Sequence, residues 1–186
     1  ASGGLVVALP LAPLVILAIR LDSKGPAFFS QVRIGKNGRS FVIYKLRTLS
    51  SDSPAYTITP TRDEDYRLTR VGRTLRRLGL DELPQLWNVL RGEMSLIGPR
   101  PERPGFYHKL EIEIPFFADR TYGVMPGITG LAQVNQGYDT SIEDVRSKVG
   151  FDHRYALALD NPLSWIKMDL DITLRTVMVM LMGRGQ

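Results

Sequence analysis

Cysteine is absent from the 186 residues. Disulfides, thiolate metal sites and cysteine nucleophiles are thereby excluded. Histidine occurs only as His108 and His153, which argues against a zinc site built mainly from imidazole. No internal repeat is present. A full-length apolar span is also wanting. The uncharged stretch Leu5–Ile19 (LVVALPLAPLVILAI) would cover about 22 Å as a helix, short of a bilayer core of about 30 Å. Neither a basic n-region nor a small-residue cleavage site frames it, which argues against a signal peptide. Further sequence is expected before Ala1.

Hydrophobic residues make up 44% of the chain, enough for a core and for one domain. Net charge is +5 and the isoelectric point is about 9.6. Arginine far outnumbers lysine, and its planar fork suits phosphate oxygens. Charge of this sign fits nucleic acid, anionic lipid or a phosphorylated small molecule.

Pro10 and Pro13 interrupt the apolar stretch, and each removes an amide donor. A kinked helix entering and leaving on one membrane face fits better than a clean crossing. A buried core helix is the equal alternative. Phe28–Ile34 and Phe41–Leu46 read as strands joined by Gly35-Lys36-Asn37-Gly38, a hairpin signal. The second strand leads into Tyr44-Lys45-Leu46-Arg47-Thr48, with Arg47 a candidate phosphate-binding cation. Ser50–Asp65 is polar and proline-bearing, as expected of a mobile loop. Arg70–Leu78 carries Val71, Leu75 and Leu78 at helical spacing, with Arg70, Arg73 and Arg77 as a second stripe. Gly79 is a natural stop. A helix is expected to begin near Asp81 and end near Gly92. Leu163–Met182 reads as a final amphipathic helix, with Trp165 and Lys167 suited to a membrane interface or to packing within the domain.

Asp81 and Glu82 fall at a helix start, with Pro84 tolerated in its first turn. Alone, Asp81 would be taken as an N-cap. Three neighbours shift the balance. The Arg70–Arg77 stripe ends just before the pair, and guanidinium groups with helix amides form an anion site. They would also hold both carboxylates ionised. Gly98–Pro104 (GPRPERP) presents Arg100 on a stiffened backbone. Pro126–Gly130 (PGITG) offers Gly127, Thr129 and Gly130 as a phosphate cradle. Such a set points to a phosphorylated ligand, on which an ionised carboxylate can act as nucleophile.

Three stretches now stand together: Gly25–Thr48 (GPAFFSQVRIGKNGRSFVIYKLRT), Thr69–Pro104 (TRVGRTLRRLGLDELPQLWNVLRGEMSLIGPRPERP) and Val124–Asn135 (VMPGITGLAQVN). In order and spacing they resemble the bacterial sugar transferases, or monotopic phosphoglycosyl transferases. Asp152–Tyr155 and Asp160–Pro162 continue the likeness. The resemblance implies an enzyme that takes a UDP-sugar and a membrane polyprenyl phosphate, releases UMP, and initiates a surface polysaccharide or glycan. It implies Asp81 as a nucleophile that becomes a phosphosugar-aspartate, Glu82 as its partner and Mg²⁺ at Asp81. Lys45 and Arg100 match basic positions near the phosphates, and Asp169 matches an aspartate of the last helix. Pro13 matches a break in a re-entrant membrane helix. Residues 1–21 would then form that helix and 22–186 the catalytic domain, on the cytoplasmic face of the bacterial inner membrane. No nucleic acid partner is implied, and a homodimer is compatible. The chain departs from some relatives in Ala12 before Pro13, and from many in Gln136-Gly137-Tyr138-Asp139 after Asn135.

The expected fold is α+β, mostly helical around a small antiparallel hairpin. A helix-turn-helix DNA-binding domain is the rival, since Arg70–Leu78, a glycine and Asp81–Leu90 mimic its outline. Two carboxylates opening its second helix would face DNA phosphates, where donors are needed.

Overall fold

The computed structural model describes residues 2–50, 65–136 and 142–182, with backbone alone for residues 2–9 and 11. The expected loop at Ser50–Asp65 falls almost wholly outside them. Helix α1 (Ser2–Asp22) leads to the antiparallel strands β1 (Phe28–Ile34) and β2 (Ser40–Leu46). Helix α2 (Arg70–Arg77), a 3₁₀ turn at Leu80–Glu82, α3 (Gln85–Leu90) and β3 (Ser95–Ile97) follow. Then come α4 (Pro104–Glu113), a 3₁₀ turn at Ala118–Thr121, β4 (Gly127–Thr129), α5 (Leu131–Asn135), α6 (Ile142–Ala158) and α7 (Pro162–Leu181). This is the expected α+β class, with one addition. β3 and β4 form a second, parallel pair, Ser95 opposite Gly127 and Ile97 opposite Thr129.

Helix α1 runs through both Pro10 and Pro13 as one element. It does not end at Pro13. Its later turns divide by face: Ile19 is buried, with Val15 and Ile16 packed beside it against Ala27, Leu46, Leu75 and Val71. Leu14, Leu17 and Leu21 point outward, 67%, 55% and 78% exposed. Among the described residues, no helix is long and apolar enough to cross a membrane. The end of α1 is anchored at two points. The Asp22 carboxylate accepts the Val71 amide at 2.8 Å, capping α2 from outside while Thr69 caps it from within. Arg47 donates to the carbonyls of Ser23 and Lys24.

Two further cores complete the domain. Ile34, Tyr107, Leu110, Ile114, Phe117, Val145 and Val149 join β1, α4 and α6. Ile97, Val124, Leu131, Tyr155 and Ile172 join β3 to α5, α6 and α7. The parallel pair admits only glycine where backbones meet. A Cβ on Gly98 would lie 2.2 Å from the Met125 carbonyl oxygen, and one on Gly127 would lie 2.1 Å from the Gly98 nitrogen. Backbone cannot retreat as a flexible side chain does. Gly98→Ala is therefore expected to cost about 1–3 kcal/mol. Gly105→Ala in α4 meets no atom within 4 Å and should be neutral or gain up to about 1 kcal/mol from helix propensity. Denaturant midpoints of the two variants check the contrast.

Candidate active site

Three segments converge on the Asp81–Glu82 pair. The pair lies in the 3₁₀ turn, set off from α2 by Gly79 with φ of 65°, a left-handed conformation that favours glycine. Pro84 then opens α3, where its fixed φ suits a helix start. The turn lies against β2, and Asn88 fastens α3 to that strand. Its side-chain amide donates to the Val42 carbonyl at 2.7 Å and accepts from the Tyr44 amide at 3.3 Å. Lys45 comes from β2, and Arg100 from the loop after β3.

Both cations meet one oxygen. Lys45 Nζ donates to Glu82 Oε1 at 2.5 Å, and an Arg100 guanidinium nitrogen donates to the same atom at 2.9 Å. Burial works to raise the Glu82 pKa, but Arg100 and Lys45 overcome it and hold the carboxyl at about 2. Asp81 is different. It is 3% exposed, and its Oδ1 is buried with no hydrogen-bond partner. Burial pushes its pKa up, Lys45 pulls it down, and the Glu82 charge adds to the rise. The cations therefore hold Glu82 low, while burial raises Asp81. The cluster reaches solvent chiefly through Arg100, whose side chain is 30% exposed.

The Arg100 backbone is held from behind. Arg120 donates to the Arg100 carbonyl and, at 2.7 Å, to the Asp152 carboxylate. Both side chains are almost wholly buried, and the Arg120 guanidinium lies 4.6 Å from the Phe117 ring centroid. Arg33 donates to the Pro101 carbonyl at 3.0 Å, and the Ile34 amide donates to the Glu102 carbonyl at 2.8 Å. The Gly98–Pro104 segment is thus a clamped loop.

Of the residues expected from sequence, Asp81, Glu82, Lys45 and Arg100 come together. Others are used differently. Asp81 does not act as an N-cap; it lies inside the 3₁₀ turn. Arg47 is buried and its guanidinium serves the Ser23 and Lys24 carbonyls. Arg77 is exposed on α2. Its neighbour Arg76, not among the expected cations, is the α2 arginine whose charge acts on Asp81, and its Nε donates to Thr48 Oγ1 at 2.9 Å. The Gly127 amide is not free for phosphate, because it donates to the Pro99 carbonyl at 3.0 Å. Gly130 is small for the same reason as Gly127: a Cβ there would sit 2.2 Å from the Gly98 carbonyl oxygen. The Thr129 hydroxyl shares a 2.8 Å hydrogen bond with Thr176. Asp169 accepts from the Tyr155 hydroxyl at 3.1 Å. Arg120, Asp152 and Asn88 support the site without any sequence pattern that marks them as site residues. Only the buried position of such polar groups marks them, and sequence does not display it.

Among the described residues there is no group of three or more metal-ligating side chains. The pair still suits Mg²⁺, which takes one or two carboxylates and completes its shell with substrate phosphate and water. Glu82 Oε1 is already held by two cations, so Asp81 is the carboxylate that fits this role.

Fold and site define an α+β domain organised around a buried carboxylate whose Oδ1 lacks a hydrogen-bond partner among nearby cations. A model of the family described as bacterial sugar transferase matches residues 1–183. The chain belongs to the bacterial sugar transferase family. It is 43% identical over 184 residues, 97% of its length, to UDP-N-acetylgalactosamine-undecaprenyl-phosphate N-acetylgalactosaminephosphotransferase of Aeromonas hydrophila. It is 44% identical over 171 residues, 90% of its length, to UDP-glucose:undecaprenyl-phosphate glucose-1-phosphate transferase of Caulobacter vibrioides. Its identity to the Escherichia coli protein of the latter name is 38% over 148 residues, 78% of its length. The chain spans 42%, 61% and 32% of the lengths of these curated relatives. The helix-turn-helix alternative falls with this assignment, and α3 is only six residues long.

Removing one partner of a buried ion pair strands the other charge at a cost of about 3–5 kcal/mol. Arg120→Met is expected to lose that much stability. Arg120→Met combined with Asp152→Leu should lose distinctly less than the two single variants summed, in a denaturation double-mutant cycle.

Proposed function

We propose that this domain transfers a sugar-1-phosphate from a UDP-sugar to a membrane polyprenyl phosphate, on the cytoplasmic face of the bacterial inner membrane. The observation that carries the reading is the contrast between Glu82, bound by Lys45 and Arg100, and Asp81, whose Oδ1 has no partner. A carboxylate left without hydrogen bonds keeps its nucleophilic electron pairs available. Its raised pKa also makes the oxygen more basic than an ordinary aspartate.

In the first step an Asp81 oxygen attacks the sugar-proximal phosphorus. The bond from that phosphorus to the bridging oxygen breaks, and UMP leaves with the electron pair. A phosphosugar is then joined to Asp81 as an acyl phosphate. In the second step an oxygen of the polyprenyl phosphate attacks the same phosphorus, and the Asp81 carboxylate departs. Lys45 and Arg100 are placed to offset the diphosphate charge, and Arg76 adds a third positive charge. Bound Mg²⁺ would supply further charge neutralisation at the diphosphate.

The exposed stripe Leu14, Leu17 and Leu21 of α1 supports a position at the membrane, with the first helix re-entrant. The sugar is left general. The relatives at 43% and 44% identity are named for N-acetylgalactosamine and glucose respectively, so overall likeness does not choose between them.

Asp81→Asn should lower UMP release from UDP-sugars by about three orders of magnitude or more, in an assay supplying polyprenyl phosphate and Mg²⁺. Intact-mass analysis of the unaltered protein with donor alone should show the phosphosugar adduct. Near-normal UMP release by Asp81→Asn would overturn the mechanism.

The attacking form is ionised, so the rate rises with pH through the Asp81 pKa. The acid limb of the pH–rate profile should therefore lie above the ordinary aspartate value of 3.8. Glu82 charge raises the Asp81 pKa and Arg100 charge lowers it. Glu82→Gln should thus move the acid limb down and Arg100→Ala should move it up, in profiles of whatever activity each variant retains. Arg100→Ala should also weaken nucleotide-sugar use without unfolding the domain.

A further inference from the structure

A groove of about 360 Å³ lies between α5, α6 and α7, apart from the Asp81 cluster. Its apolar lining is Leu131, Phe151 and Met168. Its rim carries three cations, Arg154, Lys167 and Arg175, against the single acid Asp171. Arg175 is committed, donating to Asp171 and to Asn135 Oδ1, both at 3.0 Å. Arg154 and Lys167 are exposed and make no ion pair among the described residues, so the rim keeps an excess of positive charge.

The same helix carries a second feature. Successive helical residues turn by about 100°. Leu163, Ile166, Leu170, Leu174 and Leu181 therefore share one face of α7, and they are between 57% and 81% exposed. The fully buried Ile172 lies on the opposite face. Ser164, Lys167, Asp171 and Arg175 fall on the flank between, where the groove opens. An outward apolar stripe thus borders a basic groove with an apolar floor.

We infer that this groove takes the phosphate headgroup of an anionic membrane phospholipid, whose acyl chains lie along the α7 stripe. Charge complementarity selects the occupant. A nucleotide fits less well, because base recognition needs free donors and acceptors. Asn135 is already used, its amide donating to Leu131 and its oxygen accepting from Arg175. The site is independent of the phosphosugar transfer chemistry, and would orient the domain on a surface rich in anionic lipid.

Trp165 follows the groove-lining Ser164 in sequence and is 45% exposed, which provides a reporter on the same helix. In a Trp87→Phe background it is the only tryptophan, since the chain has two. The full chain would be placed in bilayer discs containing a brominated phospholipid, either phosphatidylglycerol or phosphatidylcholine, at equal mole fraction. Brominated phosphatidylglycerol should quench Trp165 several-fold more effectively, because each basic residue near an anionic surface favours it roughly fivefold. Arg154→Gln with Lys167→Gln should erase that preference. Lys109→Gln, an exposed cation on α4, should keep it.

Equal quenching by the two lipids would overturn the proposal, as would a preference that survives the double variant. Loss of quenching by both lipids would mean that protein, such as a second copy of the chain, covers the stripe. Replacing chloride with inorganic phosphate at constant ionic strength should leave the preference intact. If phosphate abolishes it, the groove takes a free phosphate and the lipid assignment fails.

Discussion

A single carboxylate oxygen, Glu82 Oε1, receives both Lys45 and Arg100, and the character of the site follows from that arrangement. Two cations drawn onto Glu82 keep it charged in a place where burial alone would neutralise it. The same capture withholds their hydrogen bonds from Asp81. They still act on Asp81 through space, but they do not occupy its oxygen. Asp81 is thereby enclosed, close to positive charge and partnerless, which is an uncommon state for a buried polar atom. Were the cations instead hydrogen-bonded to Asp81, its pKa would fall and its lone pairs would be engaged.

The scaffold reads as a set of devices that deliver these cations. Lys45 arrives on a strand whose register is fixed along its length by the hairpin, and Asn88 ties that strand to α3. Arg100 comes on a loop, and a loop needs help. Arg33, Ile34 and Arg120 each hold one of its carbonyls, while Gly98 lets the parallel pair close directly beside it. The Arg120–Asp152 pair is informative on this point. A buried ion pair is seldom more stable than well-packed apolar residues of similar volume. Stability is therefore a weak reason for its presence. A guanidinium can accept the orientation set by Asp152 and still donate to the Arg100 backbone, which no apolar side chain could do.

What sequence made legible was local. The hairpin strands alternate and are joined by glycine and asparagine, and the α2 helix announces itself by period and by Gly79. The Asp81–Glu82 pair stood out through its basic neighbours. Non-local features were harder to see. β3 and β4 have three residues each, too few to show a period, and they pair across more than one intervening element. The arginine stripe marks a helix face without saying which face meets the site, so Arg77 stands out in sequence where Arg76 is the arginine whose charge acts on Asp81. Gly127 and Gly130 were open to two readings, because a phosphate cradle and a tight backbone approach demand the same small residue. The occupied Gly127 amide and the close approach of both glycines to the Gly98 backbone distinguish them.

The 3₁₀ turn that holds the two carboxylates has a consequence for their division of labour. Three residues complete a 3₁₀ turn, so consecutive side chains point about 120° apart. Asp81 and Glu82 thus start from adjacent backbone positions and face different surroundings. Gly79 and Pro84 bound this turn, one entering it at positive φ and the other fixing the exit into α3. An α-helix would also separate neighbouring side chains, by about 100°; what the bends add is the placement of the pair against β2. By bending the chain at both ends, the fold can tie one carboxylate firmly to Lys45 and Arg100 while its immediate neighbour keeps an oxygen unengaged.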